Sequence, residues 1–235
     1  MTTRAPYFTN HARRRRWPWR LYHGPIERAL ARIVRAHTGG RGLVVGCGLE
    51  PFVPGAERAL RWHGCDLDPD AIAACEASYP AMRGRLAVCP DAYTLPSVAP
   101  FDGTFDVVVA KEVIEHVEEP ERFARALASR VAPGGDLVLS TPDYGFPSTL
   151  GLLEATVLEW IARREGWSRA YIHPSPMTAA RLAALDLGPD VSLVRIRRVA
   201  FGWALVACWR REVPQPGAGR STPSRNEGCA ASRSR

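Results

Sequence analysis

Between residues 43 and 140 short apolar runs alternate with polar or amphipathic stretches, and this alternation restricts the fold more than any other feature of the sequence. Leu43-Val44-Val45 is a short strand of buried type that ends in Gly46-Cys47-Gly48. The next unit predicts a helix around 55–62 and a short strand closing on Cys65-Asp66. Pro69, well suited to a first helical turn, opens a helix through about Ser78. A strand near 85–89 leads to Asp91. Phe105–Ala110 is rich in valine on both faces, as expected of a central parallel strand. Pro120–Val131 is an amphipathic helix, and Gly134-Gly135 turns the chain into the strand Asp136–Ser140. Strands and helices in this order predict an α/β chain with a doubly wound, mostly parallel sheet.

The flanks read differently. Residues 1–24 mix aromatic and basic side chains, interrupted at Pro18 and ended by Gly24-Pro25. From Pro25 to about His37 the apolar residues Ile26, Leu30, Ile33 and Val34 recur at helical spacing, and Gly39-Gly40 stops that helix. After Thr141 come a helix at about 149–164, a Pro-rich stretch around His173-Pro174-Ser175-Pro176 and a helix at 177–185. Val191–Val199 and Gly202–Trp209 are β-rich and predict an antiparallel hairpin. The organisation expected is an arm and helix over 1–38, a domain over 39–212 with a small insertion at 143–176 after the fifth strand, and a disordered Gly/Ser/Pro/Arg tail over 213–235.

Length and composition allow one such domain and exclude several classes. A chain of 235 residues with 46% hydrophobic content can bury one complete core. No apolar run approaches the roughly 18 residues needed to cross a bilayer. The six cysteines contain no Cys-x-x-Cys pair, and no secretory signal is recognisable, so reduced thiols and a cytoplasmic location are expected. The net charge of +7 is uneven: residues 1–40 carry +8 and 211–235 carry +3, whereas 41–210 carry −4. A basic total therefore does not imply a nucleic-acid partner, because the folded body is mildly acidic. Lys111 is the only lysine. The Arg13–Arg16 run with Trp17 and Trp19 has three readings: part of a lid over a substrate, a weak contact with an anionic surface such as lipid or RNA, or a solvated basic arm. Oligomeric state is not legible.

In an open parallel sheet, ligands bind beyond the carboxyl ends of the strands. Gly46 and Gly48 leave room for a ligand beside the first strand. Asp66, about 20 residues on, ends the second strand, where a carboxylate can accept both hydroxyls of a ribose. Leu67 can cover one face of an adenine, and Asp91 can accept from an exocyclic amine.

These blocks resemble class I S-adenosylmethionine-dependent methyltransferases. Leu43–Gly48 looks like their first motif and Gly64-Cys-Asp-Leu-Asp-Pro69 like their second. Pro90-Asp-Ala-Tyr-Thr-Leu-Pro96 looks like the adenine-contacting loop. Phe105–Val117 and Val131–Pro142 are very like the strands that follow. The resemblance runs over about 41–142 and implies a Rossmann-like sheet of seven strands with a terminal antiparallel hairpin. It also implies S-adenosyl-L-methionine as cofactor, with contacts from Gly46, Cys47, Gly48, Asp66, Leu67, Asp91, Ala92 and Lys111. Two positions depart from the family. Val44 stands where an acid is usual, and Glu50 where a third glycine is usual; Glu50 is the candidate for the cofactor's amino group.

Glu112-Val-Ile-Glu-His116 is similar to a Glu-x-x-Glu-His pattern in ubiquinone-pathway and small-RNA terminal methyltransferases. That similarity implies a divalent site for Mg²⁺ or Mn²⁺ at Glu112, Glu115 and His116, with His173 as a later ligand. A plain reading makes His116 a general base beside Glu115, because imidazole exchanges protons near neutral pH. The expected reaction is transfer of a methyl group to an oxygen of a small organic acceptor lodged against Tyr144, Trp160, Tyr171 and His173. The alternatives are an RNA methyltransferase, a cofactor-binding protein without turnover, and a nicotinamide-dependent oxidoreductase. The last would want glycine at Pro51 and leaves Val131–Pro142 unexplained.

Overall fold

The computed structural model describes Trp17, residues 19–153, Thr156, 159–164 and 173–214. Its centre is a seven-stranded sheet in the order β3-β2-β1-β4-β5-β7-β6. The strands are β1 (Arg41–Val45), β2 (Arg61–Asp66), β3 (Leu86–Val88), β4 (Phe105–Lys111), β5 (Val131–Pro142), β6 (Val191–Val199) and β7 (Ala204–Arg211). All pairs from β3 through β5 are parallel, and β7 is antiparallel to both β5 and β6. The helices are α1 (Trp19–Val34), α2 (Pro69–Ser78), α3 (Pro120–Ala128), α4 (Leu150–Leu153), α5 (Glu159–Arg164) and α6 (Ala179–Ala183). Among the described residues no helix is long and apolar enough to cross a membrane. The predicted doubly wound sheet and terminal hairpin are both present.

The valines of β4 behave as their pattern requires. Val107 and Val109 enter the core on one face with Ile26, Leu30 and Val34 of α1, while Val108 enters the core on the other face with Phe123 and Leu127 of α3. The β4–β5 register skips from Phe105↔Val131 to Val107↔Asp136. Gly134 (φ 79°) and Gly135 form this irregularity. A side chain at 135 would meet the carbonyl oxygens of Asp106 and Ala132 at 2.7 and 2.9 Å.

Two expectations need correction. No helix forms at 55–62. The connection from β1 to β2 is a chain of turns from Gly48 onward, and β2 already begins at Arg61. Pro51, Pro54 and Gly55 (φ 81°) break the local helical pattern, and the sheet face beside it is covered by α1. The turns are held instead by Arg35 on the Gly55 carbonyl (Nε, 3.0 Å) and Trp62 Nε1 on the Ala56 carbonyl (3.1 Å). Second, Gly24-Pro25 does not end a segment: α1 runs through it from Trp19. Glycine before proline avoids the clash that disfavours helical backbone there, and tertiary burial of Ile26 and Leu30 anchors the helix beyond it. Within the helix expected at 149–164, α4 and α5 are helical, and residues 154–155 and 157–158 lie outside the described residues. Arg13–Arg16, Tyr171 and residues 215–235 lie outside the described residues.

Asp136 ties the sheet to its flanks. Its buried carboxylate accepts Arg210 Nε (2.9 Å) and Nη2 (3.0 Å) from β7 and lies 2.8 Å from His37 Nε2 just beyond α1. Burial alone would raise its pKa, but the His37 and Arg210 hydrogen bonds outweigh that and hold it below the ordinary value. The contribution is therefore complete above about pH 4 and lost as pH falls through the lower folded-state value. Asp136→Asn is expected to lower the unfolding free energy by about 1–3 kcal/mol at neutral pH. In urea titrations the gap between variant and wild type should narrow progressively as pH falls below about 4.

Candidate cofactor and catalytic site

The site lies beyond the carboxyl ends of β1, β2, β4 and β5. β1 ends in a turn whose glycines adopt left-handed backbone, Gly46 at φ 66° and Gly48 at φ 51°. A side chain at 46 would meet Val113 Cγ2 at 2.5 Å, so the turn is packed against the segment that carries the catalytic candidates. Cys47 presents no side chain to a ligand: it is buried, its N–H donates to the Cys65 carbonyl (3.0 Å), and a hydrogen bond with Cys75 together with burial pushes its thiol pKa up.

Asp66 ends β2 nearly buried. One carboxylate oxygen accepts the Gly48 N–H at 2.7 Å and the other accepts the Asp68 N–H at 3.0 Å. Each carboxylate oxygen has two lone-pair directions, so Asp66 can also accept from a ribose diol. Asp68 caps α2 through the Asp70 N–H. Leu67 beside it is exposed, as a side chain covering a flat ring must be. Asp91 lies in the loop after β3, with Ala92 next to it, and organises that loop. It accepts the Tyr93 and Thr94 N–H groups at 2.6 and 2.7 Å and the Thr94 hydroxyl at 2.9 Å. The Thr94 hydroxyl and the Tyr93 N–H hold its pKa below the ordinary value, so it stays a carboxylate.

Lys111 closes β4 and forms the charged end of the site. Its Nζ is 2.6 Å from Glu50 Oε2 and 3.3 Å from Glu27 Oε1 of α1. The space between α1 and the glycine turn, bounded by Leu30, Gly46, Glu50, Phe52 and Lys111, is about 20 Å³. That is room for about one water molecule, so these ion pairs close this end of the site.

The next residue, Glu112, has left-handed backbone (φ 57°), an uncommon conformation for a side-chain-bearing residue. Its carboxylate accepts the Tyr22 hydroxyl at 2.9 Å and the Ser140 hydroxyl at 3.2 Å. Burial, with the Glu112 charge in second place, pushes the Tyr22 pKa well up, so Tyr22 remains the donor. The tight 3₁₀ turn Ile114–His116 then sets Glu115 inward at 1% exposure and the His116 side chain outward at 41%. His116 Nε2 lies 3.9 Å from Glu115 Oε1. The insertion returns above this turn: the Ser175 N–H donates to the Glu115 carbonyl, and the His173 ring lies 4.8 Å from that of His116. Tyr144 Oη is 2.5 Å from His173 Nδ1.

Among the metal candidates, Glu115, His116 and His173 offer ligand atoms within 4.8 Å of one another. Glu112 is not in that group; Tyr22 and Ser140 engage its carboxylate. Two imidazoles and one carboxylate suit Mn²⁺ or a later first-row ion better than Mg²⁺. Donors around one ion with bonds near 2.1 Å stand at most roughly 4.2 Å apart, so the group would have to draw in slightly. Tyr22, Glu27 and Ser140 belong to no motif in the sequence; the spacing of Tyr22 four and eight residues before Ile26 and Leu30 is the one signal that could have placed it on the docked helix. Trp160 is exposed on α5 and no contact places it at this site.

A sheet in this order, with a glycine turn after its first strand and an acid ending its second, defines the Rossmann-like class of S-adenosylmethionine-dependent methyltransferases. Comparison with known proteins agrees. The pattern of a family described as "Methyltransferase domain" matches residues 10–185. A ubiquinone biosynthesis O-methyltransferase of Burkholderia ambifaria is 30% identical over 176 residues, 71% of this chain and 71% of that protein. Another, from Bradyrhizobium sp., is 30% identical over 155 residues, 63% of this chain, which spans 58% of that relative's length. The N-methyltransferase NodS of Bradyrhizobium japonicum, solved with S-adenosyl-L-homocysteine, has a TM-score of 0.57 at 19% identity, covering 83% of this chain and 91% of that one. Magnesium protoporphyrin IX methyltransferase of Synechocystis has a TM-score of 0.60 at 17% identity, covering 87% and 95%; at such identities these structures speak for the fold. The chain belongs to the methyltransferase family, and it is an enzyme that uses S-adenosylmethionine.

Gly46→Ala is expected to destabilise the protein by roughly 1–3 kcal/mol, because it combines left-handed backbone with a collision at Val113. Thermal unfolding measures this, and a Tm equal to that of wild type would show that Val113 yields.

Proposed function

We propose that the protein moves a methyl group to an oxygen of a small organic acceptor, with His116 as the general base. The observation that carries this reading is the pairing of the half-exposed His116 imidazole with buried Glu115, under a roof formed by His173 and Tyr144. The names of the relatives, O-methyltransferases of ubiquinone biosynthesis, support oxygen as the acceptor atom.

S-adenosylmethionine supplies an electrophilic methyl group on a sulfonium. The protein's own part is to place the acceptor in line and take its proton. The glycine turn brings backbone to the first strand end, and Asp66 would accept the ribose hydroxyls. Leu67, Asp91 and Ala92 border the adenine. For the cofactor's amino-acid end to enter, the Glu50–Lys111–Glu27 cluster would have to part, with Lys111 then meeting its carboxylate and Glu50 and Glu27 its ammonium. Glu27 would then supply the charge that Val44 cannot. His116 Nε2 accepts the acceptor proton, and Glu115 steadies the resulting imidazolium through its nearby charge.

His116→Ala should lower kcat at least about 100-fold while the Kd for S-adenosylmethionine stays within about twofold. Unchanged turnover would remove the base. Glu50→Ala and Lys111→Met should each weaken cofactor binding by about tenfold or more, measured by calorimetry, as expected when one member of a partly buried charge cluster that meets the ligand is deleted. Equal Kd values would place the amino-acid end elsewhere.

A second reading has its own support in the grouping of Glu115, His116 and His173. There these residues would hold a divalent ion, and the ion would polarise the acceptor hydroxyl. The two readings separate on dialysis against a chelator. Loss of turnover restored by Mn²⁺ favours the ion, and full retention favours His116 acting alone.

A further inference from the structure

A larger cavity, about 840 Å³, lies between α1 and the loop after β1, and meets the charged end of the site at Glu27 and Pro54. It is lined by Arg20, His23, Gly24, Glu27, Arg28, Arg32 and Arg35 of the α1 segment, and by Pro54, Gly55 and Glu57 of the loop that replaces the expected helix after β1. The cavity thus exists because the β1–β2 connection is made of turns. Its size is that of a small-molecule site.

Its chemistry is strongly one-sided. Arg20, Arg28 and Arg32 follow one stripe of α1, with Gly24 at the intervening helical position. A side chain at 24 would stand 3.3 Å from Arg28 Nη1 and 4.0 Å from Arg20 Cγ, so glycine is what opens the floor between the two arginines. Arg35 closes one end and is fixed by the Gly55 carbonyl. Among the described residues, Arg20, Arg28 and Arg32 make no ion pair. The two acids that line the cavity are engaged elsewhere: Glu27 with Lys111, and Glu57 Oε1 with the Gly55 N–H (2.8 Å). Like charges at i, i+4 along a helix repel, so α1 carries Arg28 and Arg32 at a cost that a bound anion would reverse.

We propose that this groove binds a phosphorylated small molecule with at least two negative charges. Guanidinium forks match phosphate oxygens two at a time, and several forks spread along one helix suit a diphosphate better than a single carboxylate. The groove adjoins the cofactor site through Glu27, which both share. An occupied groove therefore acts directly on the residue that pairs with Lys111.

Inorganic pyrophosphate is the probe, titrated by calorimetry into the full-length protein at about 0.1 M salt, where longer-range surface attraction is largely screened. The double variant Arg28→Ala/Arg32→Ala should bind it at least tenfold more weakly. Arg83→Ala, an exposed arginine on a different surface, should stay within twofold of wild type. Both arginines of the double variant are exposed, and circular dichroism checks that it folds. No pyrophosphate binding by wild type overturns the proposal, as does equal weakening by Arg83→Ala, which would mean unspecific charge. Binding only to phosphatidylglycerol vesicles, with none to pyrophosphate, also overturns it and assigns the arginines to a membrane surface.

Discussion

Burial of Ile26, Leu30 and Val34 against the sheet fixes the position of α1, and much of the site's form follows from that contact. The helix packs on the sheet face that Val44, Val107, Val109, Val138 and Val206 share, and its main strand contacts are with β7 and β6. From there Tyr22 reaches Glu112, and Glu27 reaches Lys111, over sequence separations of 90 and 84 residues. Core packing and site electrostatics are thus one arrangement: an apolar stripe holds the helix down, and its neighbouring positions deliver polar groups to the strand ends. Burial of three large aliphatic side chains contributes roughly 1.5–3 kcal/mol each. That exceeds what any one exposed ion pair supplies, so the ion pairs follow the helix and do not place it.

The strand ends show how the fold separates labour. On β2, Asp66 serves both the turn and a prospective ligand. From the end of β4 onward, groups point to different tasks: Lys111 to Glu50 and Glu27, Glu112 to Tyr22 of α1, and Glu115-His116 to the insertion. The left-handed backbone at Glu112 makes this change of direction within a few residues. Strain of this kind persists where surrounding contacts over-determine it, and Tyr22 and Ser140 supply those contacts.

Much of this was legible in the sequence, for identifiable reasons. The valines of 105–110 announced a doubly covered strand because no polar residue after Asp106 interrupts them. Pro69 behind Asp68 marked a helix start by local chemistry alone. The errors came where distant partners decide. Ala56–Trp62 has helical composition, yet α1 already covers the face that such a helix would need. Gly24-Pro25 is a strong local stop signal, overridden because residues on both sides of it are anchored in the sheet. Glu50 was recognisable as an intrusion into a glycine position. That its partners are Lys111 and Glu27 could not be read, because a charge pair leaves no mark on spacing.

Lys111 has a consequence that reaches beyond binding. It carries the chain's one ε-amine, and two carboxylates enclose that amine. An amine-selective reagent therefore meets one lysine side chain, and the rate at which it reacts there reports how accessible the enclosed ε-amine is.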